Sequence, residues 1–256
     1  MEWTTILYIL IVLVLLYIIY SYVTREISML NKNVTTGNTM VTITPAEADS
    51  NMDSGNFTYS VWFYIEDWNY RYGEIKEVIA RSGSVPTSTG QEGMTSIGTE
   101  MDDISAKQPC PFMMFAPKEN NLIIAVTCYT KEGTTDVGVV HYMEVANIPI
   151  QRWTNVFFSV YGRTLDVYID GKLVRTGILP GTAKVTPNAN LYLTPNGGFK
   201  GWTSKLQYWN SASNPQDAWD VYSAGYGGGL LDNLLGKYRV KVALLTDNKE
   251  TATLTI

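Results

Sequence analysis

"WTNVFFSVYGRTLDVYIDGKLV", residues 153–174, is the most patterned stretch of the chain, and its period is two. Val156, Phe158 and Val160 fall on one face of a strand, and Asn155, Phe157 and Ser159 on the other. Leu165, Val167 and Ile169 likewise oppose Asp166, Tyr168 and Asp170. "YGRT" and "IDGK" separate the runs, and Asp170 with Gly171 has the chemistry of a type I′ hairpin, whose central residues take positive φ. Asp166 and Asp170 share a polar face with Tyr168 between them, and no histidine or third acid nearby completes a site. They read as turn and solvent-face residues, so the stretch argues for antiparallel strands and not for an active centre.

The same period continues outward. Phe57, Tyr59, Val61, Phe63 and Ile65 share one face of a strand, and Thr58, Ser60, Trp62, Tyr64 and Glu66 the other; aromatics on both faces predict a central strand. Further strands are expected at 76–81, 112–116, 122–129, 139–145, 190–193 and 199–208, bounded by the turn clusters "KENN", "KEGTTD" and "TPNGG". Seventeen Tyr, seven Trp and twenty-one Gly against 17% charged residues favour the same answer, because aromatics suit a pleated surface and glycines suit turns. One helix is signalled in "NPQDAWDVYSAG", with Asn214 as N-cap, Pro215 at its first position, Asp217 in its first turn and Gly225 to end it. Strands without helices between them fit an antiparallel β-sandwich and exclude βαβ repeats.

The flanks differ in kind. Residues 5–23, "TILYILIVLVLLYIIYSYV", carry no charge and are long enough for the roughly 30 Å of a hydrocarbon core. A cleaved signal peptide is the rival, but a basic n-region and a small-x-small cleavage pattern are both missing, so the expectation is a retained single-pass anchor over 1–24. Lys and Arg counts place the C-terminal bulk on the cytoplasmic side, while sequons at Asn33 and Asn56 would permit glycosylation on the other. Residues 25–56 read as stalk and lead-in with a short strand at 40–43, 57–225 as the sandwich, and 226–256 as a Gly-rich joint before a β-hairpin of strands 238–245 and 250–256. Cys110 and Cys128 could pair across neighbouring strands or stay as buried thiols. A net charge of −5 without Lys/Arg clusters excludes nucleic acid as a partner.

"HYMEVANIPIQRWTNVFFSVYGRTLDVYIDGKLVRTGILPG" followed by "GFKGWTSKLQYWNSASNPQDAWDVYSAG" resembles the second half of a laminin-G/concanavalin A-like jelly roll. The residues that carry the likeness are Trp153, Tyr168, Asp170, Gly171, the "GFKG" of 198–201 and the Asn214–Pro215 helix start; "FTYSVWFYIEDW" and "EVIARSG" resemble the family's early strands. The resemblance implies an all-β concanavalin A-like sandwich with one short helix, a fold that hosts lectins, adhesion modules, glycan hydrolases and structural domains. An N-terminal anchor combined with a C-terminal "KYRVKV" hairpin is also similar to proteins of large DNA viruses with an internal membrane. That implies a domain between membrane and capsid, with capsid proteins as partners.

The hydrolases of the family place Glu-x-Asp-x-(x)-Glu on one strand, so that alternate acids face the cleft. Here "TEMDDIS" offers Glu100 and Asp102 but has Ser105 in place of the second Glu, in a polar loop within the long insert 82–111. His141 is the sole histidine and sits in the alternating "VGVVHYMEV", so neither a His-based metal cluster nor a Ser-His-Asp triad is supported. "GYGGG" lacks the strand context and lysine of a nucleotide loop. Calcium could be held at the rim by the loop acids Asp102, Asp103 and Asp136, with backbone carbonyls completing the shell. Trp68, Tyr70 and Tyr72 in "EDWNYRYGE" are candidates for glycan or protein recognition, or for capping the open end of the core. The expected function is therefore a non-enzymatic, membrane-anchored structural or interaction protein, a minor capsid or virion-membrane component. A membrane-displayed lectin, calcium-assisted or not, is the alternative.

Overall fold

The runs of 153–174 form three consecutive strands in a computed structural model, which describes residues 13–14, 28–48, 52–83, 108–129, 138–227, 241–246 and 249–255. In chain order the strands are β1 (Ser28–Asn31), β2 (Thr35–Thr36), β3 (Val41–Ile43), β4 (Phe57–Asp67), β5 (Lys76–Ser82), β6 (Phe112–Phe115), β7 (Leu122–Cys128) and β8 (Val139–Val145). Then follow β9 (Trp153–Tyr161), β10 (Thr164–Ile169), β11 (Lys172–Ile178), β12 (Asn190–Leu193), β13 (Lys200–Trp209), β14 (Lys241–Thr246) and β15 (Lys249–Thr255). A short 3-10 turn at Pro195–Gly197 precedes β13, and the helix α1 (Pro215–Ser223) follows it.

Every pairing is antiparallel, and the strands make two large sheets. One runs β1-β13-β4-β9-β10-β11, with β2 also on β13; the other runs β3-β12-β5-β6-β7-β8. The first sheet turns Phe57, Tyr59, Val61, Phe63 and Ile65 inward, as the alternation predicts, to meet Val78, Met113, Phe115, Ile124 and Val126 of the second. Each fully buried side chain of this size contributes about 1.5–3 kcal/mol, so the inter-sheet layer holds the fold. Strand β4 is flanked on both sides, by β13 and β9, which is why both its faces could carry aromatics. Asp170 and Gly171 take φ of 51° and 73°, as the type I′ hairpin requires.

Strands β1 to β3 lie in the segment expected as stalk and lead-in, and they pair with β13 and β12 of the sandwich. They are four residues long at most, and of the three the alternation marks only the one at 40–43. Helix α1 carries the full capping box: the Asn214 side chain accepts from the backbone N–H of Gln216 and Asp217, and Asp217 accepts from the Asn214 N–H. Cys110 and Cys128 are both buried free thiols, and Cys128 Sγ donates to the Val126 carbonyl at 3.5 Å. Among the described residues no helix is long and apolar enough to cross a membrane. The expected anchor at 5–23 lies, apart from Leu13 and Val14, outside those residues.

Candidate functional site

The outward face of the seven-stranded sheet carries the aromatic surface. Residues on β4 that oppose the core are Trp62 and Tyr64, and register places Trp202 of β13 and Trp153 of β9 on either side of Tyr64. The Tyr64 ring centre lies 5.6 Å from that of Trp202 and 5.9 Å from that of Trp153, each tilted by 57°. With Val34 and Glu66 these rings line an open groove of about 360 Å³. The rings are half-buried and Glu66 is exposed, so aromatic surface and one carboxylate reach solvent together.

The "GFKG" motif makes this approach possible. A Cβ at Gly201 would lie 1.9 Å from the Tyr64 carbonyl oxygen, so only glycine lets β13 close on β4 beside Trp202. At Gly198 a Cβ would lie 2.2 Å from the Gly37 carbonyl oxygen, so the entry to β13 is equally closed to other residues.

One register step along, the surface is covered. Trp62 on β4 pairs with Asn155 on β9, and Tyr222 of α1 stacks on Trp62 with centroids 5.8 Å apart. Tyr226 stacks on Trp153 at 4.4 Å and 10°, and tilts against Trp62 at 6.0 Å. The segment is fastened from below: Ser204 Oγ donates to the Tyr226 carbonyl at 3.1 Å, and Lys205 Nζ to that of Gly225 at 2.8 Å. Farther along, Ala218 of α1 buries Phe157 and Tyr168, with Trp209 beside them. Burial raises the Tyr168 hydroxyl above its usual pKa, and Asp166 pushes the same way.

The acids of 153–174 are structural. Asp170 accepts from the Asn155 N–H at 2.9 Å and pairs with Arg152, while Asp166 accepts from Thr176 Oγ1 at 2.6 Å. Both hold neighbouring strands in place, as their reading as turn and face residues anticipates.

The "EDWNYRYGE" aromatics are distributed differently from the groove. Trp68 packs on Phe115 with centroids 6.0 Å apart, donates Nε1–H to the Lys118 carbonyl at 3.2 Å and carries the Lys76 ammonium 4.7 Å above its ring. It closes the end of the core around Phe63, Phe115 and Phe199. The Tyr70 hydroxyl is bonded to the Gly197 carbonyl at 3.2 Å, and Tyr72 alone of the three is exposed. Asp102, Asp103, Asp136 and Glu100 lie outside the described residues, and among those described no cluster of three metal-ligating side chains occurs. His141 sits in β8 opposite Val126. A second cleft, of about 370 Å³, lies beside β8 and β11; it is lined largely by Val145, Ile148, Ile169 and Val174, and Arg175 donates to the Glu144 carbonyl.

Residues 35–218 match the family model described as the concanavalin A-like lectin/glucanases superfamily. The chain belongs to that superfamily. In fold it is similar to the receptor-binding domain of botulinum neurotoxin mosaic serotype C/D, at 10% identity and a TM-score of 0.51, over 76% of this chain and 42% of that one. It is also similar to the receptor-binding domain of botulinum neurotoxin D, at 10% identity and 0.49, over 77% and 47% of the two chains. A third likeness is domain 4 of AbnA, a GH43 extracellular arabinanase from Geobacillus stearothermophilus solved with arabinotriose, at 16% identity and 0.45, over 74% and 75%. The chain spans less than half the length of both neurotoxin domains. No curated protein matches it.

Groove residues Tyr64, Trp153 and Trp202 were not singled out as a site by the sequence. Their signal was the second aromatic face of the 57–66 alternation, and only cross-strand register converts it into a platform.

Proposed function

We propose that the domain binds carbohydrate without cleaving it. One observation carries the reading: Tyr64, Trp153 and Trp202 meet around an open groove with Glu66 at its rim. Indole and phenol rings match the C–H face of a sugar ring, and a carboxylate accepts hydrogen bonds from its hydroxyls. The superfamily's description spans lectins and glucanases, which makes saccharide the ligand class such a platform fits first. What supports binding without cleavage is that glycoside hydrolysis ordinarily uses two flanking carboxylates and Glu66 is the one carboxylate lining the groove among the described residues. Calcium assistance from Asp102, Asp103 and Asp136, and a membrane tether at 5–23 with the domain on the cytoplasmic-equivalent side, are further parts of the proposal that rest on sequence alone.

A second reading, a structural role between a viral membrane and capsid proteins, has one observation in its favour. Strands β14 and β15 pair only with each other among the described strands, and a two-stranded unit of this kind offers edges to strand addition by a protein partner.

A glycan array on the full chain, with and without EDTA, separates the two. Selective binding abolished by Trp202→Ala supports the saccharide reading, and loss in EDTA adds calcium to it. Glycan silence, together with crosslinks from residues 238–256 to a capsid protein, favours the second. Release of shorter sugars from a bound glycan, lost in Glu66→Gln, would overturn the non-enzymatic part.

A further inference from the structure

Beneath Tyr222 and Tyr226 lies Trp62, and Asn155 stands beside it on β9. Trp62 is 4% exposed and Asn155 fully buried, yet among the described residues neither the Trp62 Nε1–H nor the Asn155 Oδ1 has a hydrogen-bond partner. Asn155 is otherwise well held: its Nδ2 donates to Ser60 Oγ at 3.0 Å and its N–H to Asp170. The orphan donor and orphan acceptor stand on directly paired residues of β4 and β9. A buried polar group left unsatisfied disfavours the state that buries it, so the cover that closes over them is a poor match for its floor. The cover also mimics a ligand, because Tyr226 lies flat on Trp153 at 4.4 Å and 10°, the geometry a sugar ring takes on an indole.

We propose that Trp153, Trp62 and Asn155 form a second saccharide subsite continuous with the open groove, occupied in this state by the Tyr226 ring. The proposal rests on the reading of the open groove as a saccharide site. A sugar ring displacing Tyr226 keeps the stack on Trp153 and adds hydroxyls, which can accept from the Trp62 Nε1–H and donate to the Asn155 Oδ1. Tyrosine in that place satisfies neither group. This difference gives a long oligosaccharide a net gain on opening the cover, whereas a disaccharide held at Trp202 leaves it shut. The two fastenings, from Ser204 Oγ and Lys205 Nζ to backbone carbonyls, hold the cover without involving an aromatic face, so they can be weakened independently of the subsite.

The test is a tryptophan-fluorescence titration of the full chain with cellohexaose, chitohexaose and arabinohexaose and with the matching disaccharides. Tyr226→Ala, and separately Ser204→Ala, should tighten hexasaccharide binding, by about tenfold for Tyr226→Ala, and leave disaccharide binding unchanged. Trp62→Phe in the Tyr226→Ala background keeps a ring but removes the N–H, and should remove part of that gain. Thermal melts of each variant confirm that it folds. Equal hexasaccharide affinity in wild type and Tyr226→Ala overturns the proposal, as does binding to none of the three sugars by any variant. Failure of the groove reading looks different: wild-type binding would then be absent or indifferent to Trp202→Ala, while Tyr226→Ala would still acquire binding that depends on Trp62.

Discussion

The guanidinium of Arg81, 2% exposed inside the sandwich, is held at 2.8 Å by the carboxylate of Asp53. Asp53 also accepts the Asn188 N–H at 3.3 Å, tying the lead into β4 to the lead into β12. Removing one member of such a pair strands a buried charge, which costs more than replacing the charge itself. Asp53→Ala should therefore destabilise the domain by about 2–4 kcal/mol, and Arg81→Met, which removes the buried charge and retains bulk, by clearly less. Urea denaturation of both variants checks the order; an Arg81→Met penalty equal to or above that of Asp53→Ala would show that the pair is not what stabilises this corner.

Lys76 is buried, and burial brings its ammonium down to a pKa of about 8, with Arg71 acting the same way and Glu74 against it. In the unfolded chain the group keeps its usual 10.5, so between about 8 and 10.5 the unfolded state binds more protons and stability from this group rises with pH. Below about 8 the charge is present in the fold and its desolvation opposes folding, offset in part by the Trp68 ring. Lys76→Met should thus raise Tm at pH 7, with the advantage over wild type shrinking as pH climbs to 10. A Tm difference independent of pH would assign the effect to packing instead.

Cys110 and Cys128, 1% and 0% exposed, are protected thiols. Burial pushes Cys110 up to about 12, with Cys128 adding to the shift and Arg81 opposing it, and burial raises Cys128 too. Neither should react with Ellman's reagent at pH 8 in the native protein, and both should react in guanidinium. The sign of the linkage is opposite to that of Lys76: the raised thiol gives stability that is complete below about 9 and lost as pH rises toward about 12. Cys110→Ala should reduce the part of the alkaline decline that begins near 9, leaving the share of Cys128 and the later part due to Tyr59 and Tyr208, whose hydroxyls are also raised by burial.

These buried groups mark where sequence reading ended. Period-two runs located β4, β9 and β10 and the turn at Asp170 and Gly171, because a strand's in/out alternation is written into consecutive residues. Asn214, Pro215 and Asp217 announced α1 for the same local reason. The short strands β1 and β2 left no period to read, since four and two residues complete at most two alternations. Arg81 and Lys76 read as ordinary strand residues until tertiary packing enclosed them, and Trp68 could be placed as a core cap only once Phe115 and Lys118 were beside it. The groove needed three strands distant in sequence: Tyr64, Trp153 and Trp202 meet only because β9 and β13 both pair with β4 in the observed register.

That register gives the most direct test of recognition. A central aromatic anchor at an interface contributes about 2 kcal/mol or more. If the groove is the recognition surface, Trp202→Ala should weaken glycan binding at least about tenfold, since 1.4 kcal/mol is one decade in affinity. Trp202→Phe should retain most of it, because a planar face remains beside Tyr64. Tyr72→Ala removes the exposed member of the "EDWNYRYGE" cluster and should leave affinity unchanged, while Trp68→Ala should act on stability through Phe115 and the core end. Isothermal titration on these four variants sorts the two surfaces. Loss of binding in Tyr72→Ala with Trp202→Ala intact would move the site from the sheet face to the rim of the sandwich.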